Sequence, residues 1–94
     1  MIPMGSWGNK DPDEKLRFGI DWSGDLADGD TISTSDWFVD QGDVTLGTKD
    51  NNTTTTATWV EGGTINTTCL IRNHCVTAMG AIFDGTMRLD IRSK

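Results

Sequence analysis

Positive charge is scarce in this chain. Eight Lys and Arg stand against 14 Asp and Glu, for a formal net charge of −6 over 94 residues. An acidic chain repels the phosphates of DNA and RNA, so the expectation is no nucleic-acid partner. The same repulsion argues against anionic membrane surfaces. No apolar run approaches the ~20 residues that a bilayer-crossing helix needs, so no membrane partner is expected either. A basic region followed by a long apolar stretch is missing at the start, and no secretory signal is visible. A mature secreted form whose signal has been removed stays open. Apolar spacing of i, i+3, i+4, i+7 is also missing. Gly, Thr, Ser, Asp and Asn, all poor helix residues, dominate instead, which excludes a helical domain.

Chemistry-bearing residues are few. The two cysteines, Cys69 and Cys75, are six positions apart in a segment that reads as one strand. At a strand's rise their Cα atoms would lie roughly 20 Å apart, whereas a disulfide tolerates about 7 Å. No Gly or Pro stands between them to turn the chain. They are expected to be free thiols serving as small core side chains, which fits a reducing compartment or one where nothing oxidises them. An intermolecular bridge stays open.

The single histidine, His74, is next to Cys75. Neighbours on a strand face opposite sides, so the two make a poor catalytic dyad. His74 reads as a surface residue that hydrogen-bonds locally. Two Cys and one His lack zinc spacing and a fourth ligand. Asp25, Asp28 and Asp30 with Gly29 do not meet the calcium-hand pattern, since its fifth and sixth positions would fall on Ile32 and Ser33. They read as acidic turn residues, with a weak non-standard calcium site as the alternative. No phosphate loop, dinucleotide motif or nucleophile elbow occurs. The expectation is no enzyme, no catalytic residue, no metal and no cofactor.

What is present is strict alternation. Leu16, Phe18, Ile20 and Trp22 fall on one parity, and Arg17, Gly19, Asp21 and Ser23 on the other, the signature of a half-buried strand. Further strands are expected over about 31–39, 44–46, 53–61, 69–77 and 86–92, separated by Asp/Gly/Asn turns. Residues 81–85 read either as a short pairing or as an irregular loop. Ile32 is out of phase with Trp37 and Val39, which predicts a bulge near 33–35. The fold class is therefore all-β: an immunoglobulin-like β-sandwich of about seven short antiparallel strands, with a small closed barrel as the runner-up. The predicted core is Leu16, Phe18, Ile20, Trp22, Ile32, Trp37, Val39, Val44, Leu46, Val60, Cys69, Ile71, Cys75, Met87, Leu89 and Ile91. Residues 14–94 form this domain. Residues 1–13, with both prolines and no periodicity, form an extended N-terminal arm.

Two of the four tryptophans, Trp22 and Trp37, sit on core parity. Trp59 and Val60 have opposite parity, so one of them faces out. Trp59 is a candidate partner contact or a ring lying flat on its sheet. Trp7, beside Ile2 and Met4 in the arm, is the other candidate contact; the bland alternative is an arm lying loosely on the domain.

Lys10-Asp11-Pro12-Asp13, then Ile20-Asp21-Trp22-Ser23, Leu26 to Ile32 and Ser35-Asp36-Trp37 together resemble a group of small proteins of tailed phages and prophages. Thr58 to Thr64, and Asn73-His74 ahead of Thr77, are similar to the same group, so the resemblance covers about residues 10–92. It departs at Cys69 and across 81–85. These proteins resemble phage fibre–tail adaptors of immunoglobulin-like fold. The resemblance implies a non-enzymatic structural virion component at the neck or tail that attaches fibres or joins particle parts. It implies other phage structural proteins as partners, a homo-multimer in the particle, and residence in the host cytoplasm before assembly. It carries over no functional residue. The alternative from the residues alone is a carbohydrate- or receptor-binding sandwich that uses Trp59.

Overall fold

A computed structural model describes residues 7–93. Ile2 and Met4 of the arm, and the side chain of Trp7, lie outside the described residues. Seven strands follow one another: β1 (Trp7–Lys10), β2 (Lys15–Asp21), β3 (Ile32–Gln41), β4 (Val44–Asn51), β5 (Thr55–Gly62), β6 (Thr67–Thr77) and β7 (Ile82–Ile91). They form two sheets, β1-β7-β6-β3 and β2-β5-β4, packed as a β-sandwich.

The charged, proline-containing lead-in is a tight turn between the layers. Glu14 N donates to Asp11 O at 3.0 Å, and Asp11 N to the Glu14 carboxylate at 2.8 Å. Asp at the first position and Pro at the second suit such a turn. The turn carries the chain from one sheet to the other, so β1 does not pair with β2. It lies instead beside β7, with Trp7 opposite Arg88 and Lys10 opposite Ile91, and runs parallel to it. This corrects the expectation of a wholly antiparallel sandwich. It also places a strand inside the segment read as an arm, where tertiary pairing does what periodicity does not signal.

The alternation of β2 emerges as read. Phe18, Ile20 and Trp22 are buried, and Leu16 packs on the core half-buried. The predicted bulge is present as a register shift between Ile32 and Thr34 in the β3–β6 ladder. It puts Ile32, Ser35 and Trp37 on the inner face. β7 runs unbroken through the segment left open at 81–85. Its inner positions there are Phe83 and Gly85, and Gly85, opposite Asn73, supplies no apolar side chain to mark the period. Cys69 and Cys75 are free and buried.

Between the sheets the core is polar at its centre. On β6, Asn73 shares the inner face with Cys69, Ile71 and Cys75, all fully buried. Its Oδ1 accepts from Trp22 Nε1 at 3.1 Å and from Thr56 Oγ1 at 2.7 Å. Its Nδ2 donates to Ser35 Oγ at 2.9 Å and to Asp36 O at 3.0 Å. An amide has two acceptor sites and two donors; here all are used, and they reach both sheets. Trp22 closes the arrangement by stacking on Phe83, with ring centroids 5.2 Å apart.

At the other end, Lys10 is fully buried. Its Nζ donates to Asp11 O at 2.8 Å and to Gly62 O, at the end of β5, at 2.6 Å. Burial pulls its pKa below the ordinary lysine value, against the opposite influence of Glu14, Asp11 and Asp13. The ammonium thus fastens β1 to the opposite sheet. Nearby, Gly42 has φ +98°, and a Cβ there would overlap the Cys69 thiol, so this turn needs glycine.

Asn73→Ala is expected to lower stability by about 2–4 kcal/mol, because Trp22 Nε1, Thr56 Oγ1 and Ser35 Oγ lose a buried partner together. Urea unfolding should show a lower midpoint at unchanged slope. In a cycle with Thr56→Val the two losses should fall short of additive; full additivity would show that the groups do not act as a unit.

Candidate functional site

The two tryptophans singled out from the sequence sit on different sheets. The backbone of Trp7 is at the start of β1, at the rim of the four-stranded sheet. Trp59 is on β5, the middle strand of the three-stranded sheet. Val60 is fully buried and Trp59 half-buried, so Trp59 is the member of the pair that faces out. The structure does not bring the two together.

The neighbours of Trp59 follow from register. Arg17 lies opposite it on β2. On the β4 side the ladder is interrupted between Leu46 and Lys49, and a Cβ on Gly47 would lie 3.3 Å from that of Trp59. Lys15 Nζ stands 5.8 Å from the indole centroid, a cation–π contact. One step along, Arg17 Nη2 reaches across β5 to Asp50 Oδ1 at 2.7 Å. Both partners are well exposed, so this bridge adds little stability, ~0–1 kcal/mol, but it covers the outward Ala57. The face therefore offers a partly shielded aromatic ring between two cations.

The outer face of the four-stranded sheet carries a cluster that parity alone does not pick out. Register sets Asp36, His74 and Asp84 in one row across β3, β6 and β7, and Phe38, Arg72 and Thr86 in the next. The Arg72 guanidinium lies 4.6 Å from the Phe38 centroid. It bonds Asp40 at 2.9 Å and Asp84 at 3.3 Å. His74 Nδ1 is 2.9 Å from Asp84 Oδ1. The hydrogen bond from His74, then that from Arg72, hold the Asp84 carboxyl below its usual range. Asp36 is likewise lowered, first by its bond to Lys49 on β4.

This arrangement orders a surface and lacks the parts of a hydrolytic centre. His74 has its acid, but Cys75 points through the sheet into the core. Burial pushes the Cys75 thiol up to about 11, so it holds its proton at neutral pH. Among the described residues, no group of three or more His, Cys, Asp or Glu side chains could hold a metal ion, and no pocket opens.

A thiol whose pKa is raised on folding adds stability that is complete below its unfolded value, 9.0, and lost as pH rises toward 11. Urea unfolding between pH 8 and 11 should show the wild type losing stability more steeply than Cys75→Ala. Parallel slopes would refute the assignment, whatever the absolute cost of the cavity.

No curated protein matches the chain. A family model described as podophage GP4 fiber-tail adaptor protein gp77 matches residues 10–90, from the last residue of β1 to the penultimate residue of β7. The match covers β2 to β6 entire and all but the last residue of β7, and the chain belongs to the family of podophage GP4 fiber-tail adaptor proteins, gp77.

Proposed function

We propose that this protein is a non-enzymatic structural component of a tailed phage or prophage particle. It acts as an adaptor at the neck or tail that attaches fibres or joins particle parts. The observation that carries the reading is the family match over residues 10–90. The fold supports it: a rigid sandwich with ordered outer faces on both sheets is suited to holding two partners at a fixed separation. The strand order supports an immunoglobulin-like kinship. β3-β6-β7 and β2-β5-β4 pair in the order of strands C, F, G and B, E, D of that sandwich. β1 differs by lying beside β7 rather than β2.

Partners are other structural proteins of the neck, tail or fibre. Identical copies ringed about the tail axis would turn individually weak contacts into firm attachment. Trp7 and Trp59 are the proposed contacts, one at a sheet rim and one at the middle of a sheet face. The protein resides in the virion, and in the host cytoplasm before assembly, where net charge −6 keeps free subunits apart. A sugar-binding role for Trp59 would need a bare ring, and Lys15 stands over this one.

Deleting the gene should yield particles whose tails lack fibres, visible by electron microscopy. Purified virions should contain the protein in a copy number matching the tail symmetry. Its absence from purified virions would overturn the reading. Trp59→Ala should leave the unfolding free energy measured in urea within ~1 kcal/mol of wild type while reducing incorporation into particles. Normal incorporation would remove Trp59 from the contact.

A further inference from the structure

One end of the sandwich has an unpartnered apolar patch inside an uncompensated acidic field. Of the four large apolar side chains well exposed among the described residues, two lie at the β6–β7 turn: Met79, 66% exposed, and Ile82, 62% exposed. Ile82 stands opposite Val76 on the outer sheet face, which extends the patch by a half-buried valine. Well exposed Met and Ile side chains on one hairpin leave apolar area in water that a partner would remove.

The turn is not a loose flap. Asp30 Oδ1 accepts from Met79 N at 3.0 Å and from Thr31 N at 2.9 Å. Ala78 N donates to Thr31 O at 2.9 Å. The β2–β3 loop is bound in turn to the β4–β5 loop, through Trp22 N to Thr54 O at 2.8 Å and Ile32 N to Thr53 O at 2.9 Å. Three loops thus make one continuous, braced end, so little conformational entropy would be lost on docking there.

Charge decides what can dock. Asp21, Asp25 and Asp28 are exposed in the β2–β3 segment, and neither that loop, the β4–β5 loop nor the β6–β7 turn contains Lys or Arg. Elsewhere among the described residues the cations are engaged: Arg17 with Asp50, Lys49 with Asp36, Arg72 with Asp40 and Asp84, Arg88 and Arg92 with Asp90. Lys10 is buried and Lys15 lies over Trp59. The loop end keeps its negative charge. A second copy docking by the same end would set like charge against like. The complementary occupant is a protein surface with Lys or Arg around an apolar centre.

Resting on the adaptor reading, we propose that this loop end is one of the adaptor's two attachment surfaces, and that it seats a basic, apolar-centred surface of another structural protein of the particle. Met79 and Ile82 supply the buried contact, and Asp21, Asp25 and Asp28 supply steering and orientation.

The test adds purified protein to particles made by a phage lacking the gene, and measures bound copies by quantitative blotting after sedimentation. Wild type should bind, and binding should fall as salt rises from 50 to 500 mM. The triple variant Asp21→Asn, Asp25→Asn, Asp28→Asn should bind about tenfold less at low salt, with a flattened salt response. Met79→Ser with Ile82→Ser should lose binding about tenfold at every salt. Urea midpoints for both should match wild type, since all five side chains are exposed. If wild type binds and both variants bind equally well, this surface is wrong while the adaptor reading stands. If wild type itself does not bind, both fall. Wild-type self-association abolished by Ile82→Ser would make the occupant a second copy and overturn the proposal.

Discussion

At the centre of the core one buried side-chain amide ties the two sheets together. Asn73 is fully buried and uses every hydrogen-bonding site it has, on Trp22, Thr56, Ser35 and the backbone of Asp36. A purely apolar interface between two sheets can slide by small steps at little cost. A saturated amide network cannot, because displacement leaves buried donors and acceptors unpaired. A domain of 94 residues has a modest core, and specificity of packing matters to it as much as area. The apolar side chains around Asn73 supply most of the driving force; the amide decides which arrangement they settle into.

That rigidity is what the surfaces rely on. Inner and outer side chains alternate along β6, so fixing Asn73 inside fixes Arg72 and His74 outside on the same strand. The Arg72–Asp84–His74 cluster and the Phe38 ring beneath the guanidinium are registers of β3, β6 and β7 made visible at the surface. Exposed ion pairs of this kind add little to stability. Their value is in holding side chains in one geometry before a partner arrives.

Much of this was legible in the residues. Alternation from Leu16 to Trp22 announced β2, the phase break after Ile32 announced the bulge, and the parity of Trp59 against Val60 left one of them to face out. What was not legible depended on distant chain. Trp7 to Lys10 has no period, and β1 exists because β7 offers it an edge. Lys10, Thr56, Thr58 and Asn73 are polar, so a core read from apolar residues passes over them, although Asn73 shares parity with Cys69, Ile71 and Cys75. Among candidate contacts, the Phe38–Arg72–Asp84 group is assembled from three strands and has no signature in any one of them. The family resemblance was carried by strand residues such as Ser35-Asp36-Trp37 and also by turn and loop residues, Asp11-Pro12 and Asp28-Gly29-Asp30 among them. The structure shows why those turn and loop positions are demanding: Asp11-Pro12 carries the chain between layers, and Asp28-Gly29-Asp30 ties two loops together.

The parallel course of β1 beside β7 bears on how the molecule would carry mechanical load. Tension applied at residue 7 and at residue 91 draws the two strands past each other lengthwise, because they run in the same direction with Trp7 at Arg88 and Lys10 at Ile91. Every rung of that short ladder is then stressed together instead of being peeled one at a time, and the Lys10 ammonium, gripping Gly62 in the other layer, shares the strain. A hairpin partner pulled from its open end would unzip; this one must shear.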